Sequence, residues 1–146
     1  MLERFAMIKI TKESSVSIDD VLHLYQAVGW TNYTNQPQML EQALSHSLTT
    51  YLARDGEEIV GLVRLVGDGF SSVFVQDLIV LPSYQRQGIG SNLMKEALAD
   101  YKDAYQIQLA TEQTEKNLGF YRSLGFETLS TYDCTGMIWV DRKKFK

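Results

Sequence analysis

Apolar positions along this chain follow two periods, and the changes between them divide it into elements. Residues 5 to 10, FAMIKI, are apolar and partly β-branched, which predicts a first strand. The polar TKESSVSIDD that follows predicts a helix start with Ser17 as its N-cap, since a serine oxygen can accept from a first-turn N–H that has no intrahelical partner. Ile18, Val21, Leu22, Leu24, Tyr25 and Val28 then recur close to a helical stripe, and Gly29 is placed to end it. WTNYTNQ reads as a loop rich in aromatics and amides. A second helix is predicted from near Pro37, carrying Met39, Leu40, Ala43 and Leu44.

From Leu48 the pattern becomes strand-like. Three β-like runs are separated by RDGEE and GDGFS, and the Asp55-Gly56 and Asp68-Gly69 pairs are hairpin signals, so strands two to four form an antiparallel meander. A helix follows from about Gly90 to Tyr101, with Leu93, Met94, Ala97, Leu98 and Tyr101 on one face. Then come a short strand in YQIQLAT, a short helix across EKNLGFYRSL closed by Gly125, and final strands near FETLS and GMIWV. This order predicts an α/β (α+β) fold. Its mixed sheet has six to seven strands, antiparallel in the N-terminal half and crossing over in parallel between strands four and five, with about four flanking helices. No linker-like stretch divides residues 1–146, which read as a single domain.

Composition narrows the function classes. The 146 residues suffice for one substantial core, and 45% apolar with 22% charged residues is ordinary for a globular chain. Fourteen basic against 18 acidic side chains, a formal charge of −4, argues against a surface built to neutralise a nucleic-acid backbone. The one cysteine, Cys134, cannot form an internal disulfide, and no Cys/His cluster has metal spacing, so a reducing cytoplasm and no metal are expected. No stretch approaches the roughly 20 apolar residues that span a bilayer, and no leader is expected at the N-terminus. His23 and His46 stand isolated in helical patterns and read as surface or packing residues.

The densest chemical signal is DLIVLPSYQRQGIGSNLMKEAL, residues 77–98. A strand passes through Pro82 into a loop holding Arg86, Gly88 and Gly90, and then into a helix. First-turn N–H groups and the helix dipole favour an anion, the glycines allow close approach to the main chain, and the guanidinium can pair with phosphate oxygens. The loop therefore reads as a phosphate cradle. It lacks the lysine of a Walker loop, and Leu93 stands where a dinucleotide fingerprint would need its third glycine.

Val80-Leu81-Pro82 followed by Gln85-Arg86-Gln87-Gly88-Ile89-Gly90 resembles the signature of the GNAT superfamily, the acetyl-CoA-dependent N-acetyltransferases, and the predicted element order is similar to that fold over nearly the whole chain. The resemblance implies acetyl-CoA as co-substrate. Gln85, Arg86, Gln87, Gly88, Ile89 and Gly90, with Ser91 at the helix start, would hold its pyrophosphate. Backbone groups of Leu78, Ile79 and Val80, on a bulged strand splayed from its neighbour, would hydrogen-bond the pantetheine arm and polarise the thioester carbonyl. NLGFYRSLGF resembles a second stretch of the family, which implies that Asn117 contacts the pantetheine and that Tyr121 protonates the departing thiolate.

An attacking amine must be neutral, and a free alkylammonium has a pKa near ~10.4. Asp77, in an otherwise apolar strand, could be a base acting through water, or an aspartate at the end of the sheet facing solvent or capping a neighbour. Trp30 and Tyr33 lie in a region that lines the acceptor pocket in the family; they could hold an amine, or Trp30 could anchor its loop on the core. The expected function is acetyl transfer to a primary amine of a small molecule, with no nucleic-acid or membrane partner. A peptide or protein amine as acceptor and a non-catalytic acyl-CoA-binding module are the alternatives, and the chain could form a homodimer.

Overall fold

The computed structural model describes residues 7–139 and 141. Contacts divide the chain into two compact units, residues up to 110 and residues from 111.

The first unit is a five-stranded sheet in the order β1-β2-β3-β4-β5. The strands are β1 (Ile8–Glu13), β2 (Thr49–Asp55), β3 (Glu58–Gly67), β4 (Ser72–Val80) and β5 (Gln106–Leu109). The first four pair antiparallel and β5 joins β4 in parallel. Phe5 and Ala6 lie outside the described residues. β1 runs on into the polar TKE because β2 supplies its backbone partners up to Glu13↔Thr50, and Arg54 Nη2 meets Glu13 Oε1 at 3.0 Å.

Helices cover both faces. On one lie α1 (Ile18–Ala27), α2 (Thr31–Thr34) and α3 (Pro37–Ser45), whose Val21, Leu24, Tyr25, Tyr33, Leu40 and Leu44 form a core with Leu52, Leu62 and Ile79 of the sheet. The N-cap is as expected, with Ser17 Oγ accepting from Asp19 N–H at 3.3 Å. The predicted WTNYTNQ loop contains α2, since Trp30 C=O accepts from the N–H groups of Tyr33 and Thr34 and burial of the Tyr33 ring holds that turn. On the opposite face, α4 (Ile89–Asp100) packs Leu93, Met94 and Ala97 on the sheet. A β-carbon on Gly61 of β3 would lie 3.1 Å from Ile79 O and 3.2 Å from Leu93 Cδ1, so the glycine permits this close seating.

A register shift opposite Arg64 and Leu65 marks a bulge in β4. Arg64 pairs with Asp77 and Leu65 with Val75, so Gln76 is the extra residue. A bulge resets side-chain alternation. Val73 and Val75 therefore face α4, whereas Gln76, Asp77 and Ile79 share the face of α1 and α2.

In the second unit, α5 (Glu115–Ser123) is capped by Thr114, whose Oγ1 accepts from Asn117 N–H at 3.1 Å. The expected strand at FETLS is replaced by a 3-10 turn, Leu129–Tyr132. Thr128 Oγ1 bonds Ser130 and Thr131, and Thr131 N–H returns to Thr128 C=O, so local bonds displace a ladder. The expected strand at GMIWV is likewise not formed over Gly136–Trp139, and Val140 lies outside the described residues. Strand propensity reflects fit to a paired, half-buried surface, and no described strand pairs with this segment. The sheet thus has five strands among the described residues rather than six to seven, and α2 raises the helix count to five.

Candidate active site

β4 has two neighbours at its start and one at its end. Its pairing with β5 covers only Ser72–Val75 against Gln106–Leu109, while β3 follows it to Val80. From Gln76 onward its outer edge is open within the sheet. In an antiparallel pair, directly opposed residues alternate between those that exchange hydrogen bonds and those that do not. Leu81 N–H donates to Val60 C=O at 2.9 Å, which fixes the phase: Ile79 and Asp77 bond β3, and the N–H and C=O groups of Leu78 and Val80 face the open edge. The Val80 carbonyl bears this out by accepting from Gln85 Nε2 at 3.1 Å. Leu78 and Val80 are half-buried, and an open edge of this kind suits a ligand that can pair like a strand.

The edge leads straight into the loop. A 3-10 turn at Pro82–Tyr84 is held by Tyr84 OH donating to Asp55 Oδ2 at 2.7 Å, which ties the loop to the end of β2. Arg86 and Gly88 both adopt left-handed backbone, φ 65° and 81°. Gly88 is the N-cap of α4 and has no side chain with which to satisfy the first-turn donors, whereas Ser17 and Thr114 do so for α1 and α5. The N–H groups of Ile89, Gly90 and Ser91 are thus directed at whatever occupies the cradle. Ile89 is buried and pins the helix start, while Gln85, Arg86 and Gln87 are exposed.

Beside the edge lies a buried polar cluster. Asp77 Oδ2 receives Arg64 Nε at 2.7 Å and Tyr25 OH at 2.8 Å, and Asp77 Oδ1 receives Tyr33 OH at 2.9 Å. Arg64 Nη1 reaches Ser47 Oγ at 3.1 Å and Nη2 reaches Tyr33 OH at 3.3 Å, while Gln76 Nε2 approaches the same phenol at 3.4 Å. Burial and the Asp77 charge push both phenols, Tyr25 and Tyr33, above the usual tyrosine range. For Arg64, burial opposes the charge but Asp77 outweighs it, so the guanidinium stays protonated.

Asp77 therefore does not face solvent, and its carboxylate is engaged by three donors. Tyr33 spends its hydroxyl inside the same cluster. Trp30 is half-buried against the core, with its ring centroid 6.1 Å from Tyr25 and 6.2 Å from Tyr33. Sequence reading missed Arg64, Tyr25 and Gln76. The available signal was a lone arginine in the apolar IVGLVRLVG, which needs a buried counter-charge such as the lone aspartate of the next strand.

In the second unit Tyr121 sits between Phe120 and Phe126, with centroids 5.0 and 5.9 Å away, and burial raises its phenol above the usual range. Asn117 Nδ2 donates to Thr111 Oγ1 at 3.1 Å. His23 Nε2 lies 2.7 Å from Ile59 O and His46 Nδ1 lies 2.8 Å from Gln42 O, so each ring is engaged by backbone. Among the described residues no group of three His, Cys, Asp or Glu side chains could hold a metal ion, and no helix is long and apolar enough to cross a membrane.

Residues 46–128 match the acetyltransferase (GNAT) domain. The structure of a GNAT-family acetyltransferase from Streptococcus pneumoniae TIGR4 is 76% identical and superposes with a TM-score of 0.86, covering 93% of this chain and 99% of that one. Serotonin N-acetyltransferase 2, chloroplastic, of Oryza sativa subsp. japonica is 33% identical over 95 residues, 62% of this chain; the chain spans about half, 48%, of that relative's length. A GNAT family acetyltransferase from Elizabethkingia anophelis with acetyl-CoA bound shares the fold at a TM-score of 0.61 and 22% identity, covering 82% of this chain and 76% of that one. The domain match takes in β4, its open edge and the glycine loop ahead of α4, and on that ground the chain belongs to the GNAT acetyltransferase family.

Proposed function

We propose that this chain transfers an acetyl group from acetyl-CoA to a primary amine of a small molecule by direct attack. One observation carries the reading: the open edge at Leu78 and Val80 continues, within a few residues, into a helix start whose donors no side chain caps. An extended pantetheine arm with amide groups matches the first feature and a pyrophosphate the second. Arg86 adds an exposed cation to the loop, able to pair with phosphate oxygens. Leu78 N–H polarises the thioester carbonyl and stabilises the oxyanion that forms as the amine attacks.

Collapse of that intermediate expels a thiolate, which needs a proton. Tyr121 supplies it, and Asn117 contacts the pantetheine; both assignments rest on the resemblance of NLGFYRSLGF to the family pattern. A phenol raised by burial is fully protonated at neutral pH, as an acid must be. Trp30 and Tyr33 border the acceptor side, with the exposed face of Trp30 the part available to an amine. The family match runs from residue 46 to 128, across the division at residue 110, which supports one acetyltransferase domain over the chain.

Free-thiol release from acetyl-CoA, measured with aryl-alkyl amines, polyamines, amino acids, aminoglycosides and peptide N-termini, tests the reading. Turnover with a small amine, and none with peptides, is expected. Coenzyme A binding without thiol release for any acceptor would replace the enzyme with a binding module.

A further inference from the structure

The β4 bulge decides which backbone groups face the open edge. Asp77 is the first residue after the bulge and directly precedes Leu78. Its carboxylate is tied at once to three elements: Arg64 on β3, Tyr25 on α1 and Tyr33 on α2, while Gln76, the extra residue, is tied to Tyr33. Ser47, following α3, holds the far end of Arg64. Every charged or titratable group bonded to Asp77 is a donor to it, and the cluster leaves no buried side-chain polar atom without a partner among the described residues.

We infer that Asp77 and Arg64 are positioning residues, which clamp the β4 bulge between β3 and the α1–α2 helices and thereby aim the Leu78 N–H at the thioester carbonyl. The inference rests on the reaction proposed above. It gives a buried ion pair a task in that reaction without asking Asp77 to take a proton. It also links the acceptor side to the acyl side, because Tyr33 belongs to the helix next to Trp30 and bonds both the clamp and the bulge. An acceptor that moves α2 would then move the oxyanion donor too.

The test compares the wild-type protein with Asp77→Asn and Tyr33→Phe by amide NMR, adding acetyl-CoA without an amine, and by steady-state kinetics. The wild type should show acetyl-CoA-induced shifts at Leu78 and Val80 and at Ile89–Ser91. In both variants the loop response should persist and the Leu78 response should shrink. The kcat should fall roughly 10–100-fold for Asp77→Asn, the range expected of a misplaced donor, with acetyl-CoA affinity changed less than about threefold. The acid limb of kcat/KM should stay where the wild type has it. Tyr33→Phe, which keeps the ion pair whole, gives the same readings if the asparagine variant does not fold. An acid limb that vanishes in Asp77→Asn would make the carboxylate a base and overturn the inference, as would a full Leu78 response in both variants. A wild type whose Leu78 and Val80 amides ignore acetyl-CoA would instead overturn the proposed reaction.

Discussion

Arg64 Nε lies 2.7 Å from Asp77 Oδ2 across the β3–β4 pair, with both side chains almost wholly withdrawn from solvent. Only the bulge at Gln76 makes this meeting possible, since strict alternation would turn Asp77 to the face of α4 along with Val73 and Val75. Removing one partner strands a buried charge. Arg64→Met should destabilise the protein by about 3–5 kcal/mol, read as a lowered midpoint in urea. Arg64→Met combined with Asp77→Asn should lose less than the sum of the two single changes, and additive losses would show that the pair is not coupled.

Gly88 has a left-handed backbone, φ 81°, and open space where a β-carbon would project. Gly88→Ala therefore meets no clash but incurs about 1–2 kcal/mol of backbone strain. The relief is local relaxation of the loop, so coenzyme A affinity, measured by calorimetry, should fall roughly tenfold, the equivalent of about 1.4 kcal/mol. Equal affinity in the variant would place the pyrophosphate elsewhere.

Tyr84 fastens the same loop to the end of β2 through Asp55. Tyr84→Phe removes the hydroxyl and keeps the ring. A weakened coenzyme A affinity with little change in kcat, amounting to about 0.5–1.5 kcal/mol of binding, is expected if loop posture sets the cradle. A drop in kcat alone would assign the residue to the chemistry instead.

If Tyr121 is the proton donor, Tyr121→Phe should lower kcat by about 10²–10⁴-fold and spare cofactor affinity. Burial raises its phenol, so in the wild type the alkaline limb attributable to this residue should lie above about 10, the ordinary phenol value. Unchanged turnover in the phenylalanine variant would remove Tyr121 from the mechanism.

Stability should carry an alkaline signature as well. Tyr25 and Tyr33 are raised in the folded state, by burial first and then by the Asp77 charge. The unfolded chain therefore ionises its phenols first, which favours unfolding. Their contribution is intact below about pH 10 and is lost as pH rises from there toward the folded-state values. Chemical denaturation between pH 8 and 11 should show a loss that Tyr25→Phe reduces; a flat profile would contradict the buried network.

Much of the molecule was already legible in the sequence. The helical stripe behind Ser17, the two Asp-Gly hairpins and the shift to a strand period at Leu48 fixed α1 and the meander, because each is a local rule of backbone and side chain. The loop from Gln85 to Gly90 was legible for the same reason: its glycines, arginine and helix start carry their chemistry within a few residues. Other features depended on groups distant in sequence. The bulge at Gln76 is a relation between two strands, and the open edge at Leu78 exists because β5 stops pairing at Val75. The partners of the Asp77 carboxylate are Arg64, 13 residues away in sequence, and Tyr25 and Tyr33, 52 and 44 away. At the C-terminus, FETLS and GMIWV had strand composition but no described partner strand. Sequence set what each segment could form on its own, whereas tertiary structure decided which polar groups met, because burial and pairing energies belong to contacts between segments.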